Sequence, residues 1–305
     1  MEKDTLIVPP TQETLVDEGK FPHLPMDLTW SRNSEASSTG LIARYHQAMR
    51  NSDETISCSD EMWNGLGKEN TRYARLHYMY GGRSALKCII DALIAADGGL
   101  PKTILDFPSA HGRVTRFLAT AFPESEIWAG DLNVEGVDFC VERFGAKPFY
   151  SKPDLSALSL PLKFDLIWCG SLASHLPESQ CKALFALLLG GLNQDGILCI
   201  TTCGRGMQYA HENIFKTIHD AAYEKICQDL KERPFGFAPY SYRYGPYETV
   251  DSYGMAFLYP SWVEKNILTP GIQVLLFREK AWHGAQDVWC LIKRPISAWY
   301  DWARA

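Results

Sequence analysis

Hydrophobic and polar positions along this 305-residue chain change rhythm near residue 71. Up to about Glu69 the apolar residues are scattered among Pro, Ser, Thr, Asp and Glu. Pro9, Pro10, Pro22 and Pro25 leave the first thirty residues poorly suited to regular structure. Only Leu41 to about Arg50 carries helical spacing there, with Arg44, Tyr45 and His46 read as surface or capping residues. From Thr71 the pattern sharpens: TRYARLHYMY, the pair Gly81–Gly82, then RSALKCIIDALIAADGG. Leu86, Ile89, Ile90, Leu93 and Ile94 recur at helical spacing, and Gly98–Gly99 ends the run.

Short apolar runs and amphipathic segments then alternate. Strands are expected at Thr103–Asp106, Glu126–Asp131, Pro148–Ser151, Phe164–Cys169 and Gly196–Thr202, and helices at Gly112–Phe122, Val134–Phe144 and about Glu178–Leu192. This alternation predicts a parallel sheet covered on both faces, with ligands at the carboxyl ends of its strands. Asp106, Asp131, Asp154 and Ser171 all fall at such ends, so four polar positions converge on one crevice. Beyond them, His211 to about Leu230 reads as a helix whose apolar side carries Ile214, Ile218, Ala221, Ala222 and Ile226. A Pro-, Gly- and Tyr-rich run follows, PFGFAPYSYRYGPYETVDSYG. The whole stretch from Arg205 to Ser252 is longer than a connection needs, and it is expected to form an inserted lid. Its Tyr240 and Tyr242 would present aromatic faces to an acceptor.

The stretch TILDFPSAHGR, Thr103 to Arg113, concentrates the chemistry. A strand ends on Asp106, a small-residue turn follows (Phe107, Pro108, Ser109, Ala110, His111), and Gly112 opens an amphipathic segment. Strand, turn and helix in that order set backbone N–H groups at a helix N-terminus, which favours a polar or anionic ligand group. Small residues let the backbone approach that ligand, and Gly112 permits tight strand–helix packing. Asp131, nineteen residues after Gly112, ends the next strand, where a carboxylate accepts from ribose hydroxyls. The pattern implies a nucleoside-cofactor site.

Composition narrows the class without changing that picture. Hydrophobic content of 46% and charged content of 22% are ordinary for a globular protein, and a net charge of −6 argues against a nucleic-acid-coating surface. Nine cysteines without a CxxC pair read as small buried thiols of a reducing compartment. No HxxxH or CxxC spacing suggests a metal, and GSLAS lacks the second glycine of a nucleophile elbow. MEKDTLIVPP has neither the basic region nor the apolar core of a secretory leader, and no run suits a membrane span, so a cytoplasmic location is expected.

The segment Asp106, Pro108, Ala110, Gly112 resembles motif I of the class I S-adenosylmethionine-dependent methyltransferases, an acid followed by three alternating glycines, of which only the last is kept here. The run His111, Gly112, Arg113, Val114, followed by Arg116, is close to a family variant with proline at the first glycine position. FDLIWCGSLASHL and NQDGILCIT resemble the family's fourth and fifth strands, so the likeness covers Leu100 to Gly204 well. YGMAFLYPSWVEKNI and GIQVLLFREKAWHGAQDVWCLIKR resemble its last helix and two final strands, the last preceded by a similar Gln286–Asp287 pair.

The resemblance implies an α/β, seven-stranded doubly wound sheet of Rossmann-like methyltransferase type, its last strand antiparallel. It implies an N-terminal cap over 1–70, a methyltransferase domain over 71–295 with the lid insertion at 205–252, and a tail over 296–305. S-adenosyl-L-methionine would be held by Asp106, Pro108, Ser109, Ala110, Gly112, Asp131, Leu132, Asp154, Leu155, Gly170 and Ser171, with Tyr73 or Tyr80 reaching the ligand from the preceding helix. The activity expected is methyl transfer to a small-molecule or glycan-like acceptor, with His175 as a candidate base. His111 reads as a hydrogen-bonding scaffold residue. Nucleic-acid and membrane partners are not expected. The lost glycines at Pro108 and Ala110 leave a catalytically retired scaffold as one alternative. An NAD-dependent oxidoreductase is another, disfavoured because the pyrophosphate-binding glycine turn is missing.

Overall fold

The computed structural model describes residues 37–66, 71–241 and 253–294. Its first helices are α1 (Ser38–Asn51), α2 (Glu61–Asn64) and α3 (Thr71–Ala96). The alternating part follows as β1 (Thr103–Asp106), α4 (Thr115–Ala121), β2 (Glu126–Asp131), α5 (Val134–Phe144), β3 (Lys147–Tyr150), β4 (Phe164–Cys169), α6 (Glu178–Gly190) and β5 (Leu192–Thr202). The chain then forms α7 (Arg205–Asn213), α8 (Asp220–Glu232), β6 (Phe235–Pro239), β7 (Gly254–Leu258), α9 (Pro260–Asn266), β8 (Ile272–Trp282) and β9 (Gln286–Lys293).

Seven strands form one sheet in the order β3-β2-β1-β4-β5-β9-β8, and β6 and β7 pair separately. β1 to β5 are parallel to one another, and β9 runs antiparallel to both β5 and β8. This is the doubly wound sheet with an antiparallel last strand that the sequence implies. The order reverses between β1 and β4, which opens a crevice at the carboxyl ends of those strands.

The central strands are apolar throughout because both faces are covered. Ile104, Leu166, Trp168, Ile197 and Cys199 point to the face packed by α1, α3 and α4. Their neighbours Leu105, Ile167, Cys169, Leu198 and Ile200 point to the other, where Phe185 and Leu188 of α6 and Trp262 of α9 complete the core.

Several boundaries differ from expectation, each for a local reason. α3 runs unbroken through Gly81–Gly82, where the sequence suggests an interruption. A methyl group on Gly82 would sit 2.2 Å from the Arg113 carbonyl oxygen and 2.4 Å from the Phe117 ring. The glycine pair is therefore the place where α4 and the turn before it press against α3, and Trp282 Nε1 donates to the Gly81 carbonyl at 2.9 Å. α4 starts at Thr115, not Gly112, because Gly112 has φ +74° and belongs to the turn. The single helix expected from His211 to Leu230 is two, α7 and α8. His211 ends the first by turning its Nδ1 onto Thr217, accepting from the Thr217 N–H at 3.0 Å. Ile214, expected on an apolar side, is 52% exposed in the break between them. The beginning of the expected lid is strand β6, paired with Gly254–Leu258, which the sequence reading had joined to the last helix. Residues 242–252, with Tyr242, lie outside the described residues, as do 1–36 of the expected cap and the tail.

Gly82→Ala is expected to cost about 1–3 kcal/mol, because backbone and a core ring would both have to move. Its urea midpoint should fall at unchanged m-value. Gly98→Ala, where an added methyl meets nothing within 4 Å, should stay within about 0.5 kcal/mol of the parent.

Candidate active site

The turn after β1 is shaped by what surrounds it. The Phe107–Pro108 peptide is cis and Ala110 takes φ +43°, a backbone region that suits the glycine more usual there. Asp131, 1% exposed at the end of β2, holds this turn. Its Oδ2 accepts from the Ala110 N–H at 2.7 Å and its Oδ1 from the Asn133 N–H at 2.9 Å. Asn133 in turn caps α5 by accepting from the Gly136 N–H at 3.0 Å. Gly136 and Gly112 carry no side chain because α5 packs hard on the turn. A methyl on Gly136 would lie 2.7 Å from the Ala110 carbonyl, and one on Gly112 2.4 Å from Phe144.

A cavity of about 320 Å³ opens at the crevice. Pro108, Ala110, Asp131, Gly170, Ser171, His175 and Tyr240 all line it, seven of the residues singled out from sequence. A smaller, largely apolar recess of about 40 Å³ adjoins it, with Pro108 and Asp131 shared and Leu132 and Leu155 added. The others stand elsewhere. Ser109 is buried, its N–H donating to the Gly130 carbonyl at 2.8 Å. Gly112 serves helix packing. Asp154 faces solvent and accepts from the Ser156 N–H and hydroxyl at 2.9 and 2.6 Å. Tyr73 and Tyr80 pack beside His77 and His283 rather than on the cavity. His111 lines the cavity, but neither ring nitrogen has a partner, so its ring is not the hydrogen-bonding scaffold expected; its carbonyl does that work, accepting from Arg116 at 3.3 Å.

Asp106 lies beneath the turn, 1% exposed. Thr115 Oγ1 donates to its Oδ2 at 2.6 Å, while Oδ1 has no partner. Burial, helped by the nearby Asp131 charge, pushes its carboxyl up to about 7 against the pull of Thr115 and Arg113.

Three further cavity residues, Asp60, Glu61 and Tyr253, have no role in the sequence analysis, and Arg113 stands there only within the motif run. Asp60 and Glu61 come from the start of α2, where the Asp60 carboxylate caps the helix and accepts from the Tyr78 hydroxyl. Burial and then the Asp131 charge raise the Glu61 carboxyl. Arg113 enters from the turn with its guanidinium 5.3 Å over the Trp282 ring, and among the described residues no carboxylate pairs with it. Tyr253, next to β7, stacks on His175 with ring centroids 5.0 Å apart. The Asp60–Glu61 pair just before an amphipathic segment is a legible N-cap signal, and Arg113 is legible as a lone cation after the motif glycine.

Because the folded Asp106 carboxyl holds its proton to higher pH than the unfolded one, stability from this group is full below about pH 4 and lost as pH rises toward 7. Asp106→Asn should remove that slope. Its unfolding free energy should gain on the parent between about pH 4 and pH 7, and parallel curves would show that Asp106 is ionised throughout.

Residues 104–196 match the family model described as a methyltransferase domain. No curated protein is similar enough to count as a relative. Among solved structures, a S-adenosylmethionine-dependent methyltransferase from Clostridium acetobutylicum is similar at 16% identity over 71% of this chain and 92% of that one, with a TM-score of 0.48. The N-methyltransferase NodS from Bradyrhizobium japonicum, in complex with S-adenosyl-L-homocysteine, is similar at 13% identity over 83% and 98%, with a TM-score of 0.42. These likenesses are too distant to add to the family match. That match spans β1 to the start of β5, the half of the sheet that carries the acid-bounded turn, and over those residues the chain is similar to a methyltransferase domain.

Proposed function

We propose that this cleft transfers a methyl group from S-adenosylmethionine to a small-molecule or glycan-like acceptor. The observation that carries the reading is the presence, in one cavity, of a carboxylate locked to the turn and a guanidinium that no carboxylate pairs with among the described residues. Asp131, its oxygens accepting from the Ala110 and Asn133 N–H groups, stands at the strand end where a carboxylate accepts from ribose hydroxyls. Arg113 offers its fork to the carboxylate of the methionine end. The unpartnered Oδ1 of Asp106 supplies an acceptor beneath that end. Leu132 and Leu155, in the apolar recess, flank the adenine, and Gly170 with Ala110 lets the backbone approach.

S-adenosylmethionine supplies a methyl group on a sulfonium whose charge fades as the methyl leaves, so a water-poor cleft favours the transition state. The residues of this chain align the partners and keep water out. Tyr240 and Tyr253, at the open ends of β6 and β7, form the acceptor-side wall, and the 205–252 insertion serves the acceptor in this reading. Residues 37–66 act as a cap whose α2 roofs the cleft with Asp60, Glu61 and Met62. His175 is the proton acceptor, a half-buried imidazole that burial keeps below its ordinary value and so neutral at pH 7.

Arg113→Leu should weaken S-adenosylhomocysteine binding by roughly tenfold or more, since charge-assisted hydrogen bonds are worth about 1.5–3 kcal/mol. Binding of 5′-methylthioadenosine, which lacks the amino and carboxylate groups, should change little. Calorimetric titration of both ligands separates the carboxylate role from a general loss of fold. Binding of neither ligand to the parent would overturn the nucleoside site. Release of S-adenosylhomocysteine in a panel of phenols, sugars and amines then identifies the acceptor.

A further inference from the structure

Ser171 stands at a bend in the cleft wall, with φ +62°, a left-handed backbone that a serine adopts only when something holds it. What holds it is a chain of hydrogen bonds reaching across three strands. The Ser171 N–H donates to Thr201 Oγ1 at 2.7 Å, and that hydroxyl donates to Gln286 Oε1 at 2.6 Å. The Gln286 amide returns by donating from Nε2 to Ser171 Oγ at 2.9 Å. Thr201 is fully buried and Gln286 is 8% exposed, so the ring of bonds lies behind the cavity wall.

Donor and acceptor bookkeeping fixes the remaining proton. A hydroxyl has one hydrogen to donate and two lone pairs to accept with. Ser174 Oγ has already given its hydrogen to the Ser171 carbonyl at 3.0 Å. On the far side, His175 Nδ1 lies 2.9 Å from the Gly254 carbonyl, which can only accept, so Nδ1 carries the hydrogen and Nε2 the lone pair. Nε2 lies 3.3 Å from Ser171 Oγ. Two acceptors face the serine hydrogen, Ser174 Oγ at 3.4 Å and the more basic His175 Nε2 at 3.3 Å, and the imidazole takes it. The Gln286 amide occupies one serine lone pair, and the second faces the cavity side of the residue.

We propose that Ser171 is the group that touches the acceptor and relays its proton to His175, with Thr201 and Gln286 as positioning residues. The inference rests on the methyltransferase reading above and on His175 as the final proton acceptor. The acceptor X–H donates to the free lone pair of Ser171 Oγ. As the X–CH3 bond forms and the S–CH3 bond breaks, the X–H proton moves to Oγ and the serine's own proton moves to His175 Nε2. Charge balances, because one sulfonium is lost and one imidazolium is gained. The imidazolium is stabilised by its Nδ1–H bond to Gly254, while the Tyr240 hydroxyl, 3.0 Å from Nδ1, and the Tyr253 ring are the other groups against it.

The test begins on the unliganded protein with nitrogen-15 NMR of His175. In the parent, the spectrum should show the Nδ1–H tautomer with the Nε2 resonance displaced by an incoming hydrogen bond. Ser171→Ala and Gln286→Leu should each move that resonance toward a free lone pair. Thr201→Val should do the same, while Thr201→Ser should keep it where the parent has it. An Nε2 resonance indifferent to Ser171→Ala would overturn the relay. So would an Nε2–H tautomer in the parent. With an acceptor found by the panel, Ser171→Ala should lower kcat by about 100-fold, the lower range for lost acid–base help. S-adenosylhomocysteine affinity should stay within about twofold. A larger loss of affinity would put the hydroxyl on the cofactor instead. If His175→Gln turns over like the parent, the base reading itself falls. If His175→Gln is inactive but Ser171→Ala is not, the relay alone falls.

Discussion

The cleft depends on one carboxylate that spans two loops. Asp131 ends β2, yet its oxygens are spent on the N–H groups of Ala110, in the turn after β1, and of Asn133, at the start of α5. A buried carboxylate is costly unless its lone pairs are met, and here two backbone donors help to meet them. The same contacts hold Ala110 in a conformation that a residue with a side chain adopts only under constraint. A non-glycine turn thus keeps the path of a glycine turn. Pro108 and Ala110, which on sequence alone argue for a retired site, lie in a turn whose backbone still faces the cavity.

A second fastening joins the N-terminal part to this machinery. Arg116 is 1% exposed on α4, and its guanidinium donates to the carbonyls of Asp53, Thr55 and His111. Its ring neighbours, Tyr78 and Phe144, sit 5.3 and 5.0 Å from the charge. Arg143 of α5 adds an ion pair to Asp53 at 2.7 Å. The segment before α2 is therefore bound to the residues that shape the turn, and α2 follows it over the cavity. A buried arginine used in this way contributes mainly position, since its desolvation offsets much of its attraction.

The alternating half of the chain was legible because its central strands are apolar on both faces and α5 is capped at both ends. Asn133 and Gly145 mark the two ends of α5 so clearly that Val134–Phe144 is the helix expected. The carboxyl-end positions were legible for the same reason, since strand ends fix where a crevice must be. What sequence could not supply was partnership across long separations. Arg113 stands in the motif run with no role assigned until Trp282 lies under it. Gln286 reads only as half of a Gln–Asp pair before the last strand until Thr201 and Ser171 close the ring. The helix break at Ile214 was missed because periodicity in that stretch continues through it, and only the bond from Thr217 to His211 shows the chain turning. Asp154 misled in the opposite direction: it stands at a strand end, but the two groups of Ser156 satisfy it locally.

The charges around the cavity follow an order that suits the proposed chemistry. Arg113, Asp131 and Glu61 line the cavity, Asp131 acts on the Glu61 carboxyl, and Asp106, buried under the turn, feels the charges of both Asp131 and Arg113. A cleft with three fully ionised carboxylates would bind a sulfonium strongly, and that attraction would have to be given up as the charge fades in the transition state. Burial moderates this at Asp106, whose carboxyl it pushes up to about 7. An ammonium group placed against its open Oδ1 would shift it toward the ionised form and be bound there, because an opposite charge at close range favours the charged state. In the proposed reading Asp106 would hold the amino end of the cofactor and Asp131 the ribose, without a fixed excess of negative charge at the methyl group itself.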